Sequence, residues 1–253
     1  ANCTSVLQGQ YPRTAFKIPV LNVAFASSAA VASGVVAALK VRGIEGVNVV
    51  VWAGDGGTVD IGLQALSGAA QRQENMLYIC YDNEGYMNTG IQESGATPFG
   101  AWTSNSPNGK RLFKKDMPLI MMEHKIPYIA TANISYPQDF IWKLRKALTH
   151  VGFKYLHLYS ACPPGWRIPA DETINIGRLA VETGAWALFE IENGRFRLTG
   201  PSVNILKQGR RKTIEEYLGI QERYKKMTDE DIKILKEWIA DSWKKYSELQ
   251  KLE

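Results

Sequence analysis

The 253-residue sequence has few cysteines, few histidines and no long uninterrupted hydrophobic run. Its most apolar stretch, residues 20–39, is interrupted by Asn22, by three serines and by Gly34. A membrane-spanning helix needs about 20 predominantly apolar residues. We therefore expect no membrane span and no signal peptide here. We predict instead a buried helix of small residues with a strand before it.

Cys3, Cys80 and Cys162 are too few to form a closed disulfide framework in a chain of this length. A reducing compartment, the cytoplasm, is expected. The three histidines show no metal-ligand spacing, and His157, within the alternating pattern of residues 155–159, is expected to be a satisfied core or boundary histidine. The sequence contains neither a Gly-x-Ser-x-Gly elbow nor a Walker lysine, so hydrolase and P-loop functions lack support.

Charge of one sign is not in large excess. Lysine and arginine number 30 and aspartate and glutamate 25, which gives a formal net charge of +5. Basic residues cluster between positions 207 and 226, Arg223 among them, but glutamates are interleaved with them. We expect a solvated or interface surface there, with a docking surface for an acidic protein as the alternative. The charge does not require nucleic acid, and no nucleic-acid partner is expected.

Short apolar runs alternate with helical patterns along most of the chain, as is typical of an α/β fold. The predicted strands are 48–53, 76–81, 127–132 and 155–159, with a hairpin of 187–191 and 195–198; the predicted helices are 61–69, 139–148 and 228–249. Residues 48–53 form a continuous apolar run, which suits a strand buried on both faces. We predict a mainly parallel sheet with helices on both faces. Residues 88–115 lack periodicity and are expected to form a functional loop.

Oxygen-bearing side chains follow the first two predicted strands. Asp55 closes the first, and Asn83, 28 positions later, closes the second. Adjacent parallel strands lie about 4.8 Å apart, so both side chains can reach one hard cation. Gly54, Gly56 and Gly57 permit close backbone approach, and the helix that follows offers free N–H groups to a diphosphate. The sequence therefore predicts a Mg²⁺-bridged diphosphate site, with a pair of ordinary turns as the alternative.

Five sequence segments then make a family resemblance specific. They read Tyr-Pro-Arg-Thr at 11–14, Gly-Asp-Gly-Gly-Thr-Val-Asp-Ile-Gly at 54–62, Tyr-Asp-Asn-Glu-Gly-Tyr-Met-Asn-Thr-Gly at 81–90, Gly-Ala-Thr-Pro at 95–98 and Cys-Pro-Pro-Gly-Trp at 162–166. The chain resembles the β subunit of pyruvate:ferredoxin oxidoreductase over residues 1–220. The resemblance implies a thiamine-diphosphate-binding domain there, followed by a C-terminal amphipathic helix, within 221–253, for packing or subunit contact.

The resemblance also implies roles for individual residues. Asp55 and Asn83 would ligate Mg²⁺ through their side chains, and the Gly85 carbonyl would be the third protein ligand. The three glycines of the first segment would line the diphosphate. Asn88 would face the thiazolium ring and the substrate as the catalytic residue, with Thr89 among the cofactor-binding residues.

Cys3 and Cys162 match two of the four thiolates that hold a [4Fe–4S] cluster in this family. The other two form a Cys-x₂-Cys pair expected about two dozen residues before Cys3, outside this chain, so four ligands are not available here. A lost N-terminal segment, ligands from another chain and the lack of a cluster all remain open. Cys80, inside an apolar strand, is expected to be a small buried hydrophobe. Glu93 stands where relatives commonly carry arginine, which leaves the substrate open.

The implied activity is oxidative decarboxylation of pyruvate, or of a close small 2-oxoacid such as oxalate. Electrons would pass through [4Fe–4S] clusters to ferredoxin, and coenzyme A would take the acyl group. The implied partners are an α subunit and further subunits of the same complex. The alternatives are a non-redox thiamine-dependent decarboxylase or carboligase and a non-catalytic scaffold subunit. No glutamate of the chain is placed to activate the aminopyrimidine ring, so we expect a partner subunit to supply that carboxylate.

Overall fold

A computed structural model describes residues 3–8, 12, 14, 16–208 and 212–251. Tyr11 and Arg13 of the first family segment, and Arg210 and Arg211 of the basic cluster, lie outside the described residues. The strands are β1 (Val49–Gly54), β2 (Met76–Asp82), β3 (Tyr128–Asn133), β4 (Lys154–Tyr159), β5 (Phe189–Glu192) and β6 (Arg195–Leu198). The helices are α1 (Ser5–Gln8), α2 (Ser28–Val41), α3 (Leu63–Gln71), α4 (Met117–Glu123), α5 (Pro137–Thr149), α6 (Pro163–Trp166), α7 (Thr173–Glu182), α8 (Pro201–Gln208), α9 (Ile214–Gly219) and α10 (Asp229–Gln250).

The described strands form one sheet in the order β1-β2-β4-β3-β5-β6. The pairs β1–β2, β2–β4 and β3–β4 are parallel, while β5 and β6 join antiparallel as a hairpin. The hairpin turns at Asn193 and Gly194, which adopt φ values of 50° and 83°, as a two-residue turn of this kind requires. The predicted α/β fold with a mainly parallel sheet is confirmed. Because β1 and β2 are neighbours, the ends that carry Asp55 and Asn83 meet.

Apolar side chains cover both faces of the sheet, so the prediction of helices on both faces is also confirmed. On one face Leu77, Ile79 and Leu156 pack against residues of α5. On the other, a larger cluster joins strand residues to α2, α3, α4, α7 and α10. The prediction that β1 is buried on both faces is wrong. It is the edge strand, and its Val50 is 46% exposed, because α5 covers the centre of the sheet and does not extend to this edge.

The N-terminal apolar stretch also differs from the prediction. Residues 16–27 contain no strand, and the helix α2 begins only at Ser28. Within α2 the buried residues are Ser28, Ala29 and Ala32. The helix packs one side on β1 and α3 and leaves the other uncovered in this chain. The small apolar residues that suggested burial therefore lie largely on the surface of the chain.

Residues 88–115 contain no helix or strand, as predicted, and they are nevertheless packed. Ser94, Thr97 and Thr103 are buried. Lys110, only 4% exposed, donates from Nζ to the Ser94 carbonyl at 2.8 Å. Backbone bonds join Lys110 to Ala101 and Lys115 to Gly95. The loop is thus held in one conformation beside the ends of β1 and β2.

The C-terminal helix α10 begins with the predicted capping box, in which Thr228 and Asp231 bond each other's backbone N–H groups. Leu235, Ile239 and Trp243 join the main core, and Trp243 Nε1 donates to the Gly184 carbonyl at 2.8 Å. Of all the helices in the described ranges, none has both the length and the apolar character that crossing a bilayer demands.

A lysine with no solvent exposure ties α5 to the sheet. Lys143 Nζ donates to Asp139 Oδ2 at 2.7 Å, to the Thr131 carbonyl at 2.8 Å and to Thr199 Oγ1 at 2.7 Å. All three of its N–H groups are used, which offsets the cost of burying the charge. Burial still lowers the pKa of Lys143, although the charge of Asp139 opposes the shift.

We expect Lys143→Met to lower the free energy of unfolding by about 3 kcal/mol, because one partner of a buried ion pair is removed and three acceptors lose their donor. Urea unfolding followed by circular dichroism measures this. Lys212→Met is the control, since Lys212 pairs with Glu216 on the surface, and we expect it to leave the transition unchanged. Equal effects in both variants would contradict the assigned role of Lys143.

Candidate cofactor and metal site

The site lies where β1 and β2 end. Asp55 directly follows β1 and precedes a π-helical turn, Gly56–Asp60, in which Thr58 Oγ1 donates to the Gly54 carbonyl at 2.7 Å. Such turns recur at functional sites. Asn83 directly follows β2. Residues 82–85 are called the Asn83 loop below.

Three oxygen atoms face one another here. In one orientation of the Asn83 amide, Oδ1 lies 3.1 Å from Asp55 Oδ1 and 2.9 Å from the Gly85 carbonyl oxygen. In that orientation Nδ2 points at Cys3 Sγ, 3.5 Å away. Turning the amide over exchanges its two atoms, and Nδ2 then donates to both oxygens. The protein groups therefore satisfy one another in the second orientation, whereas the first needs a cation between the oxygens.

The spacing of the three oxygens fits magnesium. Octahedral ligands about 2.1 Å from Mg²⁺ lie about 3.0 Å from their neighbours, and the two measured separations are 3.1 and 2.9 Å. Within the described part of the chain, no group of three or more His, Cys, Asp or Glu side chains could hold a metal ion. The set found here consists of one carboxylate, one amide and one backbone carbonyl, all of them hard oxygen ligands.

Asp55 is 2% exposed. Burial raises its pKa well above the usual range, and the charge of Asp82 raises it further. Ser94 Oγ opposes the shift by donating to Asp55 Oδ2 at 2.6 Å. This bond leaves Oδ1 directed at Asn83. A divalent cation at Oδ1 would favour the charged form of the carboxyl.

Asp82 anchors the Asn83 loop from below. Its Oδ1 accepts from the Glu84 backbone N–H at 2.8 Å, and its Oδ2 lies 2.8 Å from His157 Nε2. His157 Nδ1 lies 2.9 Å from the Tyr155 hydroxyl, so both ring nitrogens have partners and the prediction of a satisfied core histidine is confirmed. Burial works against ionisation of Asp82, but the bond and charge of His157 hold its pKa below the usual range.

The glycines of the site are buried, and the ring of Tyr86 leaves no room for a side chain at Gly56. A Cβ atom at Gly56 would lie 2.2 Å from Tyr86 Cε1. The Tyr86 hydroxyl donates to Asp60 Oδ2 at 3.1 Å and to the Gly56 carbonyl at 3.3 Å. Gly57 lies against Phe25, whose ring is 5.8 Å from that of Tyr86. In this chain the space beside both glycines is thus occupied by aromatic rings.

A buried ion pair that the sequence analysis did not predict lies behind the Asn83 loop. Glu84 and Arg223 have side chains that are each 2% exposed, and their Oε2 and Nη2 atoms are 2.6 Å apart. The Arg223 guanidinium lies 3.7 Å from the centre of the Trp166 ring, and Trp166 Nε1 donates to the Asn83 carbonyl at 2.9 Å. The expectation of a solvated or interface surface is therefore wrong for Arg223. A fixed positive charge within a segment of mixed charge was the only available signal.

Cys3 and Cys162 lie close enough for their charges to interact. Cys3 Sγ faces the Asn83 amide, and Cys162 precedes α6, the helix that ends at Trp166. Burial raises the pKa of the Cys162 thiol, and the nearby charge of Cys3 adds to the rise. Cys80 is fully buried inside β2, as predicted, with Sγ 3.9 Å from His157 Nε2.

Asn88 and Thr89 lie beyond the triad on an exposed turn. The Thr89 hydroxyl donates to Gln92 Oε1 at 2.6 Å, while Asn88 is exposed to solvent. Glu93 accepts a bond from Ser106 Oγ and lies 4.0 Å from Lys110 Nζ. Its charge is therefore compensated within the long loop.

Comparison with known proteins identifies the family of the chain. The family described as "Thiamine pyrophosphate enzyme, C-terminal TPP binding domain" matches residues 2–158, which span both strand ends of the site. The chain is 53% identical over 242 residues to pyruvate synthase subunit PorB of Methanothermobacter thermautotrophicus, covering 94% of this chain and 82% of that protein. It is 48% identical over 259 residues to ketoisovalerate oxidoreductase subunit VorB of Pyrococcus abyssi, covering 98% and 82%.

A solved structure is also similar. The 2-oxoglutarate:ferredoxin oxidoreductase from Magnetococcus marinus, determined with 2-oxoglutarate, coenzyme A and succinyl-CoA bound, aligns with a TM-score of 0.51 and 26% identity. The alignment covers 61% of this chain and 58% of that one. The chain therefore belongs to the thiamine pyrophosphate enzyme family and, within it, to the β subunits of the 2-oxoacid:ferredoxin oxidoreductases, which are oxidoreductases.

Proposed function

We propose that this chain binds the diphosphate end of thiamine diphosphate through Mg²⁺, as a subunit of a pyruvate:ferredoxin oxidoreductase. The observation that carries the proposal is the convergence of Asp55 Oδ1, the Asn83 amide and the Gly85 carbonyl oxygen, with the amide 3.1 and 2.9 Å from the two oxygens, a spacing that fits neighbouring ligands of Mg²⁺. In a Mg²⁺–diphosphate complex, phosphate oxygens and water take the remaining positions. The family match adds the thiamine pyrophosphate-binding domain.

Bound thiamine diphosphate supplies the carbanion chemistry that releases CO₂ from a 2-oxoacid. The residues of this chain bind and orient. Asp55 supplies the negative charge, and Ser94 fixes its carboxylate plane through the 2.6 Å bond to Oδ2. Gly54, Gly56 and Gly57 would line the diphosphate, the exposed Asn88 would face the thiazolium ring and the substrate, and Thr89 would be among the cofactor-binding residues. The proposed substrate is pyruvate or a close small 2-oxoacid such as oxalate.

Cys3 and Cys162 are the proposed cluster ligands of this chain. Cys3 Sγ lies 3.5 Å from the Asn83 amide, and Cys162 lies close enough to Cys3 for their charges to interact. Two further thiolates from outside these residues would complete a [4Fe–4S] site. A cluster so close to the metal triad would accept electrons at short range and pass them toward ferredoxin, and coenzyme A would take the acyl group. The cytoplasm, where thiols stay reduced, is the proposed location.

A shared active site is supported by exposed apolar side chains. Val50 on the edge strand β1 and Ile61 just after the π-helical turn are 46% and 59% exposed, and Phe16, Ile18 and Leu21 are between 42% and 68% exposed. Exposed apolar groups of this kind are typical of subunit contacts. We propose that an α subunit covers these side chains and supplies the carboxylate that bonds the aminopyrimidine ring. Residues 88–115 would help to close the interface.

We expect Asp55→Asn to abolish Mg²⁺-dependent retention of thiamine diphosphate, because the charge that holds the cation is lost while the shape of the side chain is kept. The thiamine content of the complex after gel filtration measures this. Asp171→Asn removes an equal charge from an exposed position and should retain the cofactor. Stoichiometric thiamine in Asp55→Asn would refute the metal assignment.

We expect single Cys3→Ala and Cys162→Ala variants to lose iron, because each removes a thiolate ligand. Cys80→Ala should keep its iron, since it removes only a buried apolar atom at modest cost in stability. Iron content and the visible absorption spectrum of anaerobically purified complexes measure this. Iron lost from Cys80→Ala and retained by Cys162→Ala would show that the ligands are wrongly assigned, and a colourless wild-type complex would favour a non-redox thiamine enzyme.

We expect the purified chain with thiamine diphosphate, Mg²⁺ and pyruvate or oxalate to release no CO₂ until an α subunit is added, because that subunit would supply the carboxylate that bonds the aminopyrimidine ring. Release of labelled CO₂ measures this. Turnover by the chain alone at the rate of the complex would rule out a shared site.

A further inference from the structure

We infer that Arg223 is a positioning residue for the proposed magnesium site. By holding Glu84, it sets the backbone of the Asn83 loop so that the Asn83 side chain and the Gly85 carbonyl face Asp55. The inference rests on the proposed function and adds to it a residue 139 positions distant from Glu84 in sequence.

The contacts of Arg223 leave its guanidinium little freedom. Nη2 donates to Glu84 Oε2 at 2.6 Å, and Nε donates to Gln221 Oε1 at 2.9 Å. Its charge lies 3.7 Å from the centre of the Trp166 ring and 4.8 Å from that of Tyr224. The Arg223 carbonyl also accepts from the Trp102 N–H at 2.7 Å. A planar group bonded and stacked in this way can fix the position of the carboxylate it holds.

The backbone at Glu84 needs such support. Its φ of 63° lies in the left-handed region, which is unfavourable for a residue with a side chain. The Glu84 N–H donates to Asp82 Oδ1 at 2.8 Å, and the Glu84 carbonyl accepts from Thr97 Oγ1 at 2.7 Å. Arg223 holds the side chain between these two points. The peptide groups on both sides of Glu84 are thereby fixed. Because Gly85 is the next residue, its carbonyl is oriented by the same contacts.

Trp166 joins the same assembly from a third segment of the chain. It donates from Nε1 to the Asn83 carbonyl at 2.9 Å while its ring lies against Arg223. Asn83 is thus held on one side of Glu84 by a ring that Arg223 itself supports. Loss of the guanidinium plane would release both the Glu84 carboxylate and this ring.

Lys114 is the second partner of Glu84 but is less suited to the task. Its Nζ lies 3.3 Å from Glu84 Oε1, and its side chain is 17% exposed. It also lies 4.6 Å from the centre of the Trp186 ring. A flexible ammonium can neutralise Glu84 without fixing the plane of its carboxylate. Lys114 therefore contributes positive charge, whereas Arg223 fixes the position of the carboxylate.

The test compares arginine-to-lysine changes at two sites in the complex where an arginine pairs with a buried glutamate, the buried Arg223 and the half-exposed Arg197. Arg223→Lys keeps the charge beside Glu84 and removes the planar group. Arg197→Lys is the control, because Arg197 likewise pairs with a buried glutamate, Glu190, that has a second partner in Lys146. Three quantities are measured. Tryptophan fluorescence gives the Mg²⁺ concentration for half-maximal thiamine diphosphate binding. Electron paramagnetic resonance gives the spectrum of bound Mn²⁺, and thermal unfolding gives the melting temperature.

We expect Arg223→Lys to raise the required Mg²⁺ concentration about tenfold and to alter the Mn²⁺ spectrum, with Arg197→Lys like wild type in both. Wild-type Mg²⁺ dependence and an unchanged Mn²⁺ spectrum in Arg223→Lys would overturn the inference, as would equal shifts in both variants. If Arg223→Lys does not fold, Glu84→Gln replaces it, with the same outcomes. Lack of Mg²⁺-dependent cofactor binding in the wild-type complex would instead refute the proposed function.

Discussion

The convergence of Asp55 Oδ1, the Asn83 amide and the Gly85 carbonyl oxygen at the ends of β1 and β2 is the constraint on which the rest of the site depends. Leaving the carboxylate and carbonyl oxygens without a donor or a cation between them would be costly. Burial of Asp55 beside Asp82 increases this cost, as the raised pKa of Asp55 shows. The surroundings of the triad are accordingly polar, bonded and well packed. The folded arrangement of these groups therefore favours the binding of a cation or of a hydrogen-bond donor.

The Asn83 loop is held by residues from distant parts of the chain. Four residues contact it through a hydrogen bond or an ion pair. They are Thr97 in the long loop, His157 in β4, Trp166 at the end of α6 and Arg223 beyond α9. Local sequence could not hold Glu84 in a left-handed conformation on its own. The irregular residues 88–115 therefore act as part of the support, and their packing is what makes a long loop without helices or strands stable.

The sequence predicted those features that follow from local pattern. The strand ends at Asp55 and Asn83, the hairpin at Asn193 and Gly194 and the cap at Thr228 all depend on short-range chemistry, and each is confirmed in the structure. The edge position of β1 and the exposure of α2 depend on what the rest of the chain covers, which an apolar run does not encode. The burial of Arg223 was missed for the same reason, because its partner Glu84 is remote in sequence.

The Asn83 side chain has neighbours at both ends of its amide. One end lies 3.1 Å from Asp55 Oδ1 and 2.9 Å from the Gly85 carbonyl oxygen, and the other lies 3.5 Å from Cys3 Sγ. The two ends belong to one rigid planar group, so a substitution at Asn83 would change the surroundings of the strand-end oxygens and of the Cys3 thiol together. The environment of a sulfur atom is thus coupled, through one side chain, to the geometry at the ends of two strands.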